Sequence, residues 1–275
     1  MILMARIVLI GAGSSVFGYN SALTDSNFEV LSIAVDRMNR WRKDWEIPFK
    51  LGIKQVIGEN GGPGGLFHTF RMVPPVLAIC SDMEDLCPDA LLLNYTNPVP
   101  RLCLAVERYT DVSVLGLCHE VEHEMKRLAP IMGMPFSLLD AVSAGLNHFS
   151  WFKELRLTNG DDAYPLLDEG LKGVDPTFQP LCRAIYDRFG LYPSTDDNHM
   201  GEYLAYAWNA CPERDRGFNW IDRMERSGEE NWLRTRRLIE GQEPLDVKGR
   251  LSGERAMPII AGIVTNSRHL ELQAN

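Results

Sequence analysis

The chain has 275 residues, a mass of 31.0 kDa, a net charge of −9 and a pI near 5.2. That length can bury a sizeable core in one large or two smaller domains, and we read two lobes, residues 1–150 and 151–275. The acidic balance offers no basic footprint for nucleic acid or an anionic membrane, no apolar run approaches the roughly 20 residues of a membrane span, and no cleavable leader is legible. A small-molecule ligand and a cytoplasmic setting are the expectation.

Arg6 to Ile10 is a short β-branched run closing on Gly11-Ala12-Gly13-Ser14-Ser15-Val16, a strand, a glycine turn and a helix start whose free N–H groups suit a pyrophosphate. A lone GxG is weak, because glycine also serves tight turns for backbone reasons alone. Val30 to Val35 is a second buried-strand candidate ending at Asp36, 23 residues after Gly13, which is the ordinary distance for an acid on the ribose hydroxyls. Arg37, Arg40 and Arg42 lie close together, suited to a substrate carboxylate or phosphate or to a solvated charged face.

Gly61-Gly62-Pro63-Gly64-Gly65 reads as a flexible loop or a close backbone approach to a ligand. Ala90 to Asn94 and Val112 to Gly116 are further short strands, with a helix over Arg101 to Arg108 between them, giving the βαβ alternation of a parallel sheet. Cysteines at 80, 87, 103, 118, 182 and 211 show no CxxC spacing, so no disulfide framework or zinc knot is expected.

Two of those residue types stand apart. Cys118, followed by His119, comes directly after an apolar run, and His148 in Gly145-Leu146-Asn147-His148-Phe149 follows another. A thiol and an imidazole thus sit where strands of an open sheet deliver site residues, and together they make a candidate metal site. A buried apolar thiol and a satisfied core histidine are the plainer accounts. After residue 150 the rhythm changes, with polar turns at Asn159 to Asp162 and helical segments at Pro180 to Arg188 and Gly201 to Asn209.

Taken together, the opening Ile7 to Ser14, Gly62-Pro63-Gly64-Gly65, Asn94-Tyr95-Thr96-Asn97-Pro98-Val99, Cys118-His119-Glu120-Val121, Gly145-Leu146-Asn147-His148 and Ser252-Gly253-Glu254 resemble, in order, the NAD- and divalent-metal-dependent family 4 glycoside hydrolases. The resemblance implies an α/β fold with a Rossmann-type sheet and a second α+β domain. It implies hydrolysis through oxidation rather than through two carboxylates. NAD⁺ takes hydride from the sugar C3, the metal polarises the ketone, a base removes the C2 proton, the aglycone leaves C1, and water and hydride then return.

By that resemblance Cys118 and His148 hold Mn²⁺ or another divalent metal, and Gly11, Gly13, Ser14, Ser15, Val16, Asn94 and Asn97 bind NAD. Asn97, Asn147, Arg37 and His119 contact a small α-glucoside, α-galactoside or α-uronide, and His119 helps protonate the leaving group. The C2 base falls in Tyr192 to Tyr203, with Asp197 first and Asp196, His199 and Tyr203 as rivals; adjacent aspartates before a helix are also ordinary N-caps. A homodimer or homotetramer is implied.

Two departures accompany the likeness. A block carrying the family's second and third strands has no counterpart between Ala22 and Phe28, and the chain stops 21 residues after Glu254. The family order therefore makes Val30 to Val35 a later strand and takes the ribose role from Asp36. A 2-hydroxy acid dehydrogenase and a non-catalytic NAD sensor are the alternative readings.

Overall fold

The computed structural model describes residues 7–10, 30–33, 40–213 and 216–243. Among these, compactness divides the chain into two units: the sheet strands with residues 69–117 and 220–243, and residues 41–68 with 118–219. Gly11, Gly13, Ser14, Ser15, Val16, Asp36, Arg37, the Ala22 to Phe28 junction and Ser252 to Glu254 lie outside the described residues.

The first unit holds four parallel strands: β1 (Ile7–Ile10), β2 (Val30–Ile33), β3 (Leu91–Asn94) and β4 (Ser113–Gly116), with Ile7, Val30, Leu91 and Ser113 in register. Leu92 and Leu93 point to opposite faces and are both fully buried, so the sheet is covered on both sides as a parallel sheet requires. Helix α2 (Gly62–Leu86) supplies Met72, Val76, Cys80 and Met83, one stripe at helical spacing. With Leu102 and Val106 of α3 (Val99–Tyr109), these residues close over Leu92.

The strand order β1-β2-β3-β4 advances in one direction without returning to β1. A chain that enters a 3-2-1-4-5-6 sheet at its second strand must bring a later strand back beside the first. The observed order is that of the 1-4-5-6 half, in which β2 is a later strand, and this favours the family order over Asp36 as the ribose acid.

The second unit contains α1 (Trp41–Lys50), α4 (Glu120–Ile131), the antiparallel hairpin β5 (Leu139–Leu146) and β6 (Phe149–Leu157), α5 (Tyr164–Lys172), α6 (Pro180–Phe189) and α7 (Asp197–Glu202). Phe152 and Leu155 of β6, Leu128 of α4 and Leu167 of α5 are fully buried in its core. Helix α8 (Gly217–Ile239) completes the chain's regular elements among the described residues.

Two sequence expectations need correction. Gly62 to Gly65 is no loop but the first turn of α2, and the glycines serve close protein packing. A Cβ on Gly61 would lie 1.9 Å from the Glu202 carbonyl oxygen, one on Gly64 2.7 Å from that of Gly58, and the Gly64 N–H donates to Gln55 Oε1 at 2.6 Å. Gly201 to Asn209 is not one helix: α7 ends at Glu202 and only a 3-10 turn, Ala207–Asn209, follows. The chain doubles back there so that Cys211 Sγ packs 2.8 Å from where a Gly201 Cβ would stand.

All six cysteines are free. Among the described residues no helix is long and apolar enough to cross a membrane.

Candidate active site

Strands β5 and β6 are joined by the two residues Asn147 and His148, a tight hairpin turn in which His148 takes φ +63°. A left-handed histidine persists only where its surroundings hold it. Tyr203, at the end of α7, donates its hydroxyl to the Asn147 carbonyl oxygen at 3.0 Å. Gly145 has φ +144°, and a Cβ there would meet the Phe149 carbonyl oxygen at 2.4 Å. The turn delivers a buried imidazole whose Nε2 lies 3.4 Å from Cys118 Sγ.

Two donors held by one divalent ion at about 2.1 and 2.3 Å lie roughly 3.1–3.6 Å apart for bond angles between square and tetrahedral. The Cys118–His148 separation fits that range, and both are established types of metal donor. Burial opposes charge on both groups, yet their mutual attraction outweighs it: the Cys118 thiol is held below its ordinary range and the His148 imidazole well above. The pair is thus polarised toward thiolate and imidazolium; the thiolate is the form that binds a metal, and the imidazolium gives up a proton to do so.

The Nδ1 edge of His148 faces Asn60 Nδ2 at 3.0 Å, Glu202 Oε1 at 3.5 Å and Glu59 Oε2 at 3.8 Å. Glu202 Oε2 accepts the backbone N–H groups of Glu59 (2.7 Å), Asn60 and Gly61 (3.3 Å). Burial pushes both carboxyls up. In Glu202 the His148 hydrogen bond and charge reverse this, so it ends low, whereas Glu59 stays raised.

Against the same imidazole packs His199, ring centroids 4.0 Å apart and nearly perpendicular. Its Nδ1 lies 2.7 Å from Asp196 Oδ1 and 3.8 Å from Glu120 Oε2. Arg127 spans the two acids, Nη2 3.3 Å from Asp196 and Nη1 3.4 Å from Glu120. Burial and the neighbouring His148 disfavour charge on His199, but Glu120 and Asp196 prevail and raise it to about 9. Both acids stay below the ordinary carboxylate range, because His199 and Arg127 outweigh the burial that would raise them. Glu59, His148 and His199, and likewise Glu120, Asp196 and His199, place three donor atoms within 4.8 Å of one another.

Of the residues singled out from sequence, Cys118, His148, Asp196 and His199 come together. Asp197 does not join them. Its Oδ1 accepts the Cys182 N–H at 2.8 Å and its Oδ2 that of Leu181 at 3.1 Å, so it closes the N-terminus of α6, and burial raises its carboxyl. Asp196 is the N-cap of α7. His119 precedes α4, half-buried, 5.7 Å from the His123 ring. Asn147 Oδ1 is buried and has no hydrogen-bond partner.

In the first unit, Asn94 takes up its amide on the Thr96 backbone, at 3.1 and 3.0 Å, and Asn97 Oδ1 accepts the Val99 N–H at 3.4 Å. Sequence reasoning assigned no role to Glu59, Asn60, Glu120, Arg127 or Glu202. A signal existed for Glu202, three residues beyond His199 on one helix and therefore on its face.

Residues 18–134 match the sequence profile described as "Family 4 glycosyl hydrolase", and residues 143–273 match that of the family's C-terminal domain. The chain is 33% identical to an α-glucosidase of Erwinia rhapontici, over 93% of this chain and 62% of that protein. It is 29% identical to an α-galactosidase of Rhizobium meliloti, over 89% and 53%. The chain thus spans roughly half to three-fifths of these relatives.

Among solved structures, a putative glucosidase from Bacillus subtilis is similar at a TM-score of 0.70 and 24% identity, covering 86% of this chain and 60% of its own. A 6-phospho-α-glucosidase from gut microorganisms, solved in complex with NAD and Mn²⁺, follows at 0.65 and 20%, covering 88% and 59%. These likenesses show the α/β fold with its Rossmann-type sheet. With both family profiles matched along most of its length, the chain belongs to the family 4 glycosyl hydrolases.

Proposed function

We propose that this chain forms the catalytic core of a glycosidase that cleaves a small α-glycoside with NAD and a divalent metal, Mn²⁺ in the first instance. The observation that carries the reading is the buried Cys118 Sγ–His148 Nε2 pair at 3.4 Å. Family membership supports it, as does the NAD and Mn²⁺ present in the 6-phospho-α-glucosidase structure.

Cys118 and His148 would hold the ion through Sγ and Nε2. When bound, the metal and NAD supply polarisation of the sugar oxygens and reversible hydride acceptance at C3, which together acidify the C2 proton.

The remaining work belongs to the side chains. His199 Nδ1 is held by Asp196 and Glu120, so Nε2 is the nitrogen left to take the C2 proton once the ring, raised to about 9, has become neutral, with Asp196 fixing the ring. Asp197, engaged with two α6 amides, is the weaker candidate for this role. His119 serves the leaving group. The unpartnered Asn147 Oδ1 accepts a sugar hydroxyl, which would satisfy an otherwise costly buried acceptor.

Gly11, Gly13, Ser14, Ser15 and Val16 receive the pyrophosphate, and Asn94 shapes the loop that presents Asn97 to the cofactor or sugar. Arg37 meets an acidic substituent where the substrate carries one. The working form is a homodimer or homotetramer.

A panel of nitrophenyl α-glycosides and α-uronides, assayed with NAD⁺ and Mn²⁺ under reducing conditions, tests the reading. Cleavage of at least one member, abolished by chelation and restored by Mn²⁺, is expected. Cleavage that survives both chelation and cofactor stripping would contradict it.

A further inference from the structure

The last helical residue of α7 and its neighbour grip both residues of the hairpin turn that carries His148. Tyr203 donates to the Asn147 carbonyl at 3.0 Å, and Glu202 Oε1 faces His148 Nδ1 at 3.5 Å. The other oxygen of Glu202 is fixed by the backbone N–H groups of Glu59, Asn60 and Gly61. That carboxylate therefore cannot swing: both of its oxygens are engaged and its side chain is fully buried. Gly61 permits the arrangement, since any side chain there would collide with the Glu202 carbonyl.

An imidazole has two nitrogens, and a hydrogen-bond acceptor on one of them decides which carries the proton. A carboxylate is acceptor-only when ionised. Facing Nδ1, it retains the proton on that nitrogen and leaves Nε2, 3.4 Å from Cys118 Sγ, as the nitrogen that gives up its proton when a metal binds.

We propose that Glu202 is a positioning residue for the candidate metal site: anchored on the Glu59–Gly61 amides, it fixes His148 as the Nδ1–H tautomer and so presents Nε2, beside Cys118, as a ligand. The inference rests on the Cys118–His148 metal reading and deepens it. Asn60 belongs to the same device once its amide is placed with Oδ1 toward His148: the amide atom 3.0 Å from Nδ1 then accepts the Nδ1 proton, and an oxygen that is otherwise a buried acceptor without a partner is satisfied. Carboxylates behind metal-bound histidines commonly govern affinity by about 10- to 100-fold.

Glu202→Gln tests this directly. The amide can still accept from the loop N–H groups, but turning its NH₂ toward His148 makes Nδ1 the acceptor and moves the proton to Nε2, where it blocks the ligand. Calorimetric titration with Mn²⁺ alone, on the wild type, Cys118→Ser and Glu202→Gln, should show a Cys118-dependent site that Glu202→Gln weakens by about 10- to 100-fold. Circular dichroism and melting of the metal-free variant report whether its fold is kept.

A Cys118-dependent site bound equally by wild type and a folded Glu202→Gln overturns the role of Glu202 alone. The absence of any Cys118-dependent site in the wild type overturns the metal reading and this role with it. A measurement on the wild type needs no variant: ¹⁵N spectra of the histidine-labelled protein loaded with Zn²⁺, a diamagnetic probe, should show His148 protonated at Nδ1 and metal-bound at Nε2. The reverse assignment contradicts the proposal.

Discussion

Asp196 Oδ1 lies 2.7 Å from His199 Nδ1, and the next residue sends its carboxylate the other way, to the amides of α6. Two adjacent aspartates thus separate into a partner of the candidate site and a structural cap. Asp196→Asn, which keeps the cap on α7 but gives up the charge facing His199 and Arg127, should lower the melting temperature and cut the turnover of the folded fraction by about 10²-fold or more. Asp197→Asn should destabilise the fold by about 1–2 kcal/mol while the folded fraction turns over near the wild-type rate. Denaturant melts and kcat measured side by side check both, and the opposite pattern would return the base role to Asp197.

Glycine positions make a second, independent test. Gly61→Ala drives a methyl group into the Glu202 carbonyl and should cost at least about 2 kcal/mol. Gly228, exposed within α8, has nothing within 4 Å of its Cβ position, so Gly228→Ala should stabilise by roughly 0.5–1 kcal/mol through helix propensity. Equal effects from the two would show that packing against α7 is not as described.

Glu124 supplies a pH signature. Burial raises its carboxyl to about 8 even though Arg127 lies 2.8 Å away and Gln179 2.9 Å away. Its folded pKa therefore exceeds the unfolded value of 4.5, so between those values the folded state binds more protons than the unfolded one. Its contribution is full below about pH 4.5 and is lost as pH rises toward 8. Glu124→Gln should flatten that part of the stability profile, and an unchanged slope between pH 5 and 8 would refute the assignment.

Much of the fold was legible because it depends on local pattern. The runs at Leu91 and Val114, separated by an amphipathic helix, could hardly pack otherwise than as parallel strands. Cys118 and His148 could be singled out by residue type and by their place after strands. Glu202 and Asn60 could not, because they meet His148 from 54 and 88 residues away in the chain, and no periodicity encodes such long-range contacts. The partners of Asp197 were hidden for a related reason: an acid at a helix start caps that helix by habit, whereas this one accepts the amides of a different helix 15 residues earlier. The Gly62 to Gly65 segment looked mobile because glycine density signals backbone freedom without saying whether ligand or protein makes the close approach.

Under the proposed mechanism the hydride returns to the sugar within each cycle. Hydrolysis should require NAD⁺ while absorbance at 340 nm stays flat through many turnovers, and substrate deuterated at C2 should exchange label with solvent or react more slowly. Stoichiometric NADH release would instead identify a simple dehydrogenase.

On the proposed reading, Cys118 and His148 together hold the ion on which catalysis depends. Titrating Mn²⁺ into metal-free wild type and Cys118→Ser, with binding and glycoside cleavage followed on the same samples, tests it most directly. The serine variant should lose metal affinity and turnover in parallel while keeping its fold and its NAD affinity. A variant that binds Mn²⁺ and cleaves substrate as the wild type does would reduce Cys118 to a packing residue and contradict its role as a ligand.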